Sequence, residues 1–189
     1  MEDRARLKQL LVERSVRLGE FTLASGARSS YYVDARRTSM SAEGQYLIGK
    51  MGRTAVREHD LRPSHVGGLT MGADPIAYAI AHRSFIDGAP VDAFSVRKKP
   101  KEHGTGQRIE GGLPSDAHCL MVEDAMTTGG STLGAIDAVE EHGAVVVGVL
   151  TLVDRSESAA DLFEERGIPL ISLFRGSELL EAARTHPTT

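Results

Sequence analysis

The chain has a single cysteine, Cys119. One thiol cannot close an internal disulfide, so packing must hold the fold, and a reducing cytoplasm suits that usage. Cys119 lies inside an apolar run, where a thiol is usually inert, so we do not expect a nucleophile there. No apolar run approaches the roughly 20 residues that a membrane span needs. The first ten residues, MEDRARLKQL, are charged where a signal peptide has its apolar core. We therefore expect a cytoplasmic protein with no membrane partner. There is no excess of positive charge either: 22 Lys and Arg against 26 Asp and Glu give a net charge of −4. A nucleic-acid partner gains no support from that total, and any basic function must be local. His59, His65, His82, His118, His142 and His186 show no ligand spacing and read as surface or structural. No internal repeat or low-complexity tract is present.

What the chain does have is a strand-turn-helix unit in residues 120–135, LMVEDAMTTGGSTLGA. An apolar run ends in two adjacent carboxylates, Glu123 and Asp124. A loop of small residues follows, and then an apolar-periodic helix. Glycines let a backbone approach a phosphate, hydroxyls add donors, and a helix start offers free N–H groups with a partial positive charge. No Gly-Lys-Ser/Thr closes the loop, so it is not a Walker A loop.

At 189 residues and 41% hydrophobic, the chain can bury a core as a single domain, 1–189. Residues 4–18 read as a helix with Leu7, Leu10, Leu11 and Leu18 near one face, and Gly19 as its stop. Two short strands, 21–23 and 31–34, flank the turn-rich residues 25–29. Residues 41–59 read as a helix capped by Ser41, with Leu47, Met51 and Ala55 in register. A second strand-turn-helix unit spans residues 65–83: strand 65–69, turn 70–74, and a helix opened by Pro75. Strand 91–96 precedes RKKPKEHGTGQRIEGG, residues 97–112, which is too polar for core and holds four glycines. We expect a mobile basic loop there. Helix 131–142, strand 144–154, helix 159–166, strand 168–173 and helix 177–184 complete the chain. The run at 144–154 is continuously apolar, as suits a strand covered on both faces. Alternating strands and helices predict an α/β fold: a doubly wound, mainly parallel sheet with ligands at the strand C-terminal ends. Glu123, Asp124, Asp74, Arg97 and Arg155 all fall near such ends.

The apolar strand, acidic pair and Thr-Gly-Gly of residues 120–130 resemble the sugar-diphosphate motif of the type I phosphoribosyltransferases. Three further segments narrow the likeness to the orotate phosphoribosyltransferases. One is Phe-Thr-Leu-x-Ser-Gly with Ser-x-Tyr-Tyr, which resembles that family's N-terminal hood, about residues 1–40 here. Another is Gly-Ala-Asp-Pro at residues 72–75. The third is Arg-Lys-x-x-Lys-x-His-Gly at residues 97–104. Two positions depart from common patterns: Ala24 stands where the family often has a basic residue, and the turn at 70–74 lacks the tyrosine and lysine that some relatives carry.

The resemblance implies transfer of a phosphoribosyl group from 5-phospho-α-D-ribose 1-diphosphate (PRPP) to orotate, within pyrimidine synthesis. It assigns the 5′-phosphate to Ala125, Met126, Thr127, Thr128, Gly129, Gly130 and Ser131, and the ribose to Glu123 and Asp124. The diphosphate falls to Gly72, Ala73, Asp74, Arg97, Lys98, Lys101 and His103. Catalysis is expected from Asp124, Arg97, Lys98, Lys101 and His103. Two roles are open to His103, general acid or simple charge partner. Orotate is expected on Arg155, Thr127, Tyr32 and Val33. Mg²⁺ should arrive mainly on PRPP, with no dedicated protein metal site. The loop 97–112 should close over the neighbouring subunit of a homodimer. Two other readings keep the fold: a purine phosphoribosyltransferase, and a non-enzymatic regulator that binds a nucleotide.

Overall fold

The computed structural model describes residues 2–22, 28–99, 108–155 and 159–185. The elements run α1 (Glu2–Arg14), β1 (Val16–Thr22), β2 (Arg28–Val33), α2 (Arg36–Ser39), α3 (Ala42–Glu58), β3 (His65–Leu69), α4 (Ala73–Ile86), β4 (Asp92–Val96), β5 (Ile109–Glu110), β6 (His118–Met126), α5 (Gly130–Glu141), β7 (Val145–Asp154), α6 (Ala159–Glu164), β8 (Leu170–Arg175) and α7 (Gly176–Thr185).

Six strands form one sheet in the order β5-β4-β3-β6-β7-β8, and β1 pairs with β2 in a separate ribbon. All pairings in the large sheet are parallel except β4 with β5. The direction of winding reverses between β3 and β6, so the loops after these two strands flank a crevice where ligands of such sheets bind. Strand alternation divides the core. Along β6, Leu120 and Val122 pack with α1, α3, α4 and α7, whereas Cys119 and Met121 pack with α5 and α6. Gly148 to Val153 of β7 are all buried, as the continuous apolar run requires. Cys119 is fully buried, and its thiol is pushed up to about 12 by burial, which makes it a poor nucleophile near neutral pH.

Ser41 caps α3 as expected, accepting from Gly44 N at 3.1 Å. The N-terminal helix is shorter than its periodicity suggests. It ends at Arg14, and Leu18 lies on β1, half exposed, instead of on a helix face. Buried Ser15 makes the corner by bonding Thr38 Oγ1 at 2.8 Å. Gly19 is not a helix stop. It has φ +153° and sits where the β1–β2 register shifts between Leu18 and Phe21. The expected hood at 1–40 is likewise divided. Leu7, Leu10 and Leu11 of α1 belong to the main core, and only the β1–β2 ribbon stands apart from the large sheet.

The basic segment does not run unpaired from 97 to 112. Ile109–Glu110 return as β5 beside β4, and Arg97 N bonds Arg108 O at 2.7 Å. Residues 100–107 lie outside the described residues. α4 begins at Ala73, so Pro75 falls within the first turn, where its missing N–H costs nothing. β8 starts after Pro169, which has no N–H to give the ladder.

Tight contact at the crevice depends on glycine. A methyl group on Gly68 would strike the Val122 carbonyl of β6 and lie 2.8 Å from Ala73 Cβ. Gly68→Ala should therefore force β3 and β6 apart and cost about 1–3 kcal/mol. Thermal melting would register this as a drop of roughly 2–4 °C per kcal/mol for a chain of this size, and an unchanged melting curve would refute the close-packing account.

Candidate active site

The acidic pair lies within β6, not beyond it, because the strand continues through Ala125 and Met126. Adjacent residues of a strand point to opposite faces, so the two carboxylates have different neighbours. Glu123 turns toward α5 and accepts from Thr132 Oγ1 at 2.5 Å. Asp124 turns toward the β3–α4 turn, and a Cβ on Gly72 would meet its Oδ1 at 2.5 Å. Glycine at 72 is what lets that backbone stand against the carboxylate. Asp124 Oδ1 also accepts from Ala125 N at 2.9 Å.

Burial raises the pKa of both carboxyls above the ordinary range. The hydrogen bond from Thr132 and the charge of Lys98 oppose this at Glu123. The Ala125 N–H and the charge of Arg36 oppose it at Asp124. The site therefore holds two carboxylates that are costly to ionise until donors or cations reach them.

Beyond Met126 the chain enters the phosphate-type loop. Thr127, Thr128, Gly130 and Ser131 are exposed there. Gly129 takes φ +77° and packs against the ring of Phe163, so its backbone conformation and its surroundings both favour glycine. α5 starts with no side-chain cap, so its first N–H groups remain available to an anion. Ala125 and Met126 belong to the strand. Met126 is 1% exposed, so its side chain is core, and any contact with phosphate from this residue must come from its backbone.

The turn after β3 is braced from within. The Thr70–Met71 peptide bond is cis. Asp74 accepts from Thr70 Oγ1 at 2.6 Å and from Ser95 Oγ at 2.7 Å. Both its oxygens are thus engaged in holding the turn to β4. Ala73 is buried and has only its backbone to offer.

Arg155 follows β7, and its N–H bonds Met126 O at 2.9 Å, which sets it level with the phosphate loop one strand away. The hood ribbon grips its side chain. The guanidinium lies 4.8 Å from the centre of the Tyr31 ring, and it donates to Ser29 Oγ at 3.4 Å and Tyr31 O at 3.3 Å. Its buried Nε has no partner. Tyr32 and Val33 are the expected base contacts on this ribbon. Alternation along β2 places Val33 in the core and turns the Tyr32 ring outward to Phe21, 5.7 Å away between centroids. Tyr31 and Ser29 meet Arg155 instead. Period-2 reading of RSSYYV could have found them; Thr132, which orients Glu123, carried no comparable signal.

Of the basic segment, Arg97 and Lys98 are described and exposed. Arg97 pairs with Glu110 at 3.5 Å, while the charge of Lys98 reaches Glu123. Arg108 ties the base of the loop to α5 through Gly134 O at 3.2 Å. Lys101, His103 and Ala24 lie outside the described residues. Among the described residues, no group of three or more His, Cys, Asp or Glu side chains is set to hold a metal.

The model of the phosphoribosyl transferase domain matches residues 47–164. Orotate phosphoribosyltransferase from Aquifex aeolicus is 46% identical over 183 residues, 95% of this chain and 99% of that protein. The chain belongs to the orotate phosphoribosyltransferase family. A crystal structure of the Mycobacterium tuberculosis orotate phosphoribosyltransferase with Fe(III) dicitrate matches with TM-score 0.83 and 44% identity, over 94% of this chain and 98% of that one. The same M. tuberculosis enzyme in complex with PRPP matches with TM-score 0.78 and 41% identity, over the same shares of the two chains.

The raised carboxyls have a consequence for stability. A carboxyl whose folded pKa is raised stabilises the fold when protonated; that contribution is complete below the unfolded value and lost as pH rises through the folded one. At neutral pH both groups therefore weaken the fold. Asp124→Asn keeps an acceptor for Ala125 N and removes the charge. Its melting temperature at pH 7 should rise, while turnover falls on the order of a hundredfold or more. Paired melting and steady-state assays test this; a lower melting temperature would sink the account of the burial cost.

Proposed function

We propose that this chain transfers the phosphoribosyl group of PRPP to orotate, forming orotidine 5′-monophosphate and pyrophosphate in pyrimidine synthesis. The observation that carries the reading is the level arrangement, at one sheet edge, of an uncapped helix start, an acidic pair and an arginine held by the hood. The ring nitrogen of orotate attacks C1 of the ribose as the bond from C1 to the diphosphate oxygen breaks, and the electron pair leaves with pyrophosphate. Residues 127–131 anchor the 5′-phosphate through N–H groups and hydroxyls. Glu123 and Asp124 hydrogen-bond the ribose hydroxyls and place negative charge beside the positive charge that builds on the sugar. Arg155 offers a planar two-pronged donor to the orotate carboxylate, and its unpartnered buried Nε supports that role. No side chain need take a proton if orotate binds already ionised at the reacting nitrogen.

Lys98, Arg97, Lys101 and His103 are assigned to the departing diphosphate. Mg²⁺ carried on PRPP would neutralise the same charge, and the open oxygens of Glu123 and Asp124 are hard donors that suit it beside the ribose. We place the enzyme in the cytoplasm; no helix among the described residues is long and apolar enough to cross a membrane. We further propose a homodimer with shared sites. Large apolar side chains left exposed along α4 support it: Tyr78, Phe85 and Ile86 recur at helical spacing, and Phe85 is 78% exposed.

Orotate should be consumed in the presence of PRPP and Mg²⁺, and adenine, hypoxanthine and uracil should not. Arg155→Ala should raise the KM for orotate roughly 10- to 100-fold, the worth of a hydrogen bond to a charged group, with a smaller effect on PRPP. Equal effects on both substrates would count against carboxylate recognition. Mixing Lys101→Ala subunits with Arg155→Ala subunits should restore part of the activity in heterodimers. No recovery would mean that the loop acts within its own chain.

A further inference from the structure

A cavity of about 440 Å³ lies where the end of α1, the helix α2 and the β3–α4 turn meet. Its walls include Arg14, Asp34, Arg36, Arg37 and Met71, so three guanidiniums share the space with one carboxylate. Arg36 uses its Nε on Asp34 at 2.9 Å, which leaves its terminal amino groups for another acceptor. The Arg37 guanidinium has no hydrogen bond or ion pair among the described residues. Met71 stands in the turn expected to meet the diphosphate, and its neighbour Gly72 packs against Asp124. That turn brings no cation of its own, and its one acid, Asp74, is fully engaged by Thr70 and Ser95. A polyanion at this turn would share the cavity with the guanidiniums of α2 and of Arg14.

We propose that Arg36 and Arg37 of α2 hold the diphosphate of PRPP, supplying from the hood side the cation that the β3–α4 turn lacks. The inference rests on the phosphoribosyltransferase reading above. As the bond between C1 and the diphosphate oxygen breaks, the electron pair moves onto that oxygen, and the two guanidiniums stabilise the growing charge by charge-assisted hydrogen bonds. Arg36 has a second task. Its charge also reaches Asp124 and favours the ionised carboxylate, so one side chain links the leaving group to the ribose contact.

The test uses the full chain with Mg²⁺ and inorganic pyrophosphate as a product inhibitor against PRPP. Arg37→Gln should raise the inhibition constant of pyrophosphate and the KM for PRPP together, roughly 10-fold or more, and leave the KM for orotate unchanged. Its melting temperature should not move, because the guanidinium has no partner to lose, and Arg37→Lys should recover part of the affinity. Arg36→Gln should weaken pyrophosphate in the same way. It should also shift the acidic limb of kcat/KM to higher pH, since loss of the cation lets the Asp124 pKa rise further. Unchanged pyrophosphate inhibition in Arg37→Gln would overturn the proposal. So would an equal rise in both KM values, or pyrophosphate binding that does not compete with PRPP. Should the wild-type chain fail to consume orotate, the reading of function falls. Calorimetric titration of pyrophosphate into wild-type and Arg37→Gln protein then decides the α2 site by itself.

Discussion

Two adjacent carboxylates stand half-buried near the end of the central strand, one on each face, and the rest of the site is arranged around what their desolvation costs. Desolvation works against charge on both. The surroundings offset the cost only in part, with one hydroxyl from Thr132, one backbone N–H from Ala125, and the more distant charges of Lys98 and Arg36. A site tuned for stability alone would carry apolar residues here, as β6 does one turn of the pleat earlier at Met121 and Val122. In the proposed reaction that cost has a use: the sugar hydroxyls and the charge developing on C1 would provide the interactions that the free protein lacks, so that binding and reaction would recover free energy that folding did not.

The strand geometry also explains why the pair can serve two sides of one sugar. Glu123 and Asp124 are neighbours in sequence but face different layers of the fold. The first is fixed by the helix that starts the phosphate loop, the second by the turn after β3. The crevice between β3 and β6 brings those two layers to a common edge. Gly68 and Gly72 make the approach close enough, each by lacking a side chain where β6 passes. A phosphate anchored at α5 and a diphosphate anchored near the β3–α4 turn would thus straddle the acidic pair, with the ribose between them.

Much of the fold is legible in the chain itself. The β6–turn–α5 unit, the β3–turn–α4 unit and the capped α3 follow from local signals: apolar runs, glycine placement and Ser41. Those signals fail where tertiary pairing overrides them. Leu18 fits the apolar face of α1 at helical spacing, yet Ser15 turns the chain through its contact with Thr38, and Val16–Thr22 pair with β2. Ile109–Glu110 look like loop because a two-residue strand has no periodicity to show. Tyr31 and Tyr32 differ only by which face of the ribbon they occupy. The register that decides it is set by pairing with β1, across the irregularity between Leu18 and Phe21. Thr132 reads from the sequence only as the end of the phosphate loop, and Arg36 not at all, for a related reason. Each acts on the acidic pair through a proximity that only the folded chain creates, by a hydrogen bond at nine residues' separation for Thr132 and by its charge from α2 for Arg36.

The placement of charge around the pair suits the proposed reaction. Lys98 approaches Glu123 from the basic segment, and Arg36 approaches Asp124 from α2, so cations stand on both flanks of the carboxylates. Arg155 is kept apart, stacked on Tyr31 and tied to Ser29, and among the described residues it makes no hydrogen bond or ion pair with either acid. If Arg155 paired with the acidic pair, it would be neutralised before an anionic base arrived. The grip of the hood prevents that by holding the guanidinium one strand away, where its unpartnered Nε is costly to leave unmet. In the proposed reaction the base end and the leaving-group end would thus carry separate positive charges, with the two carboxylates between them where the sugar becomes positive. That order of charge, plus–minus–plus along one sheet edge, complements an anionic nucleophile, a cationic sugar and an anionic leaving group better than it complements any one of them alone.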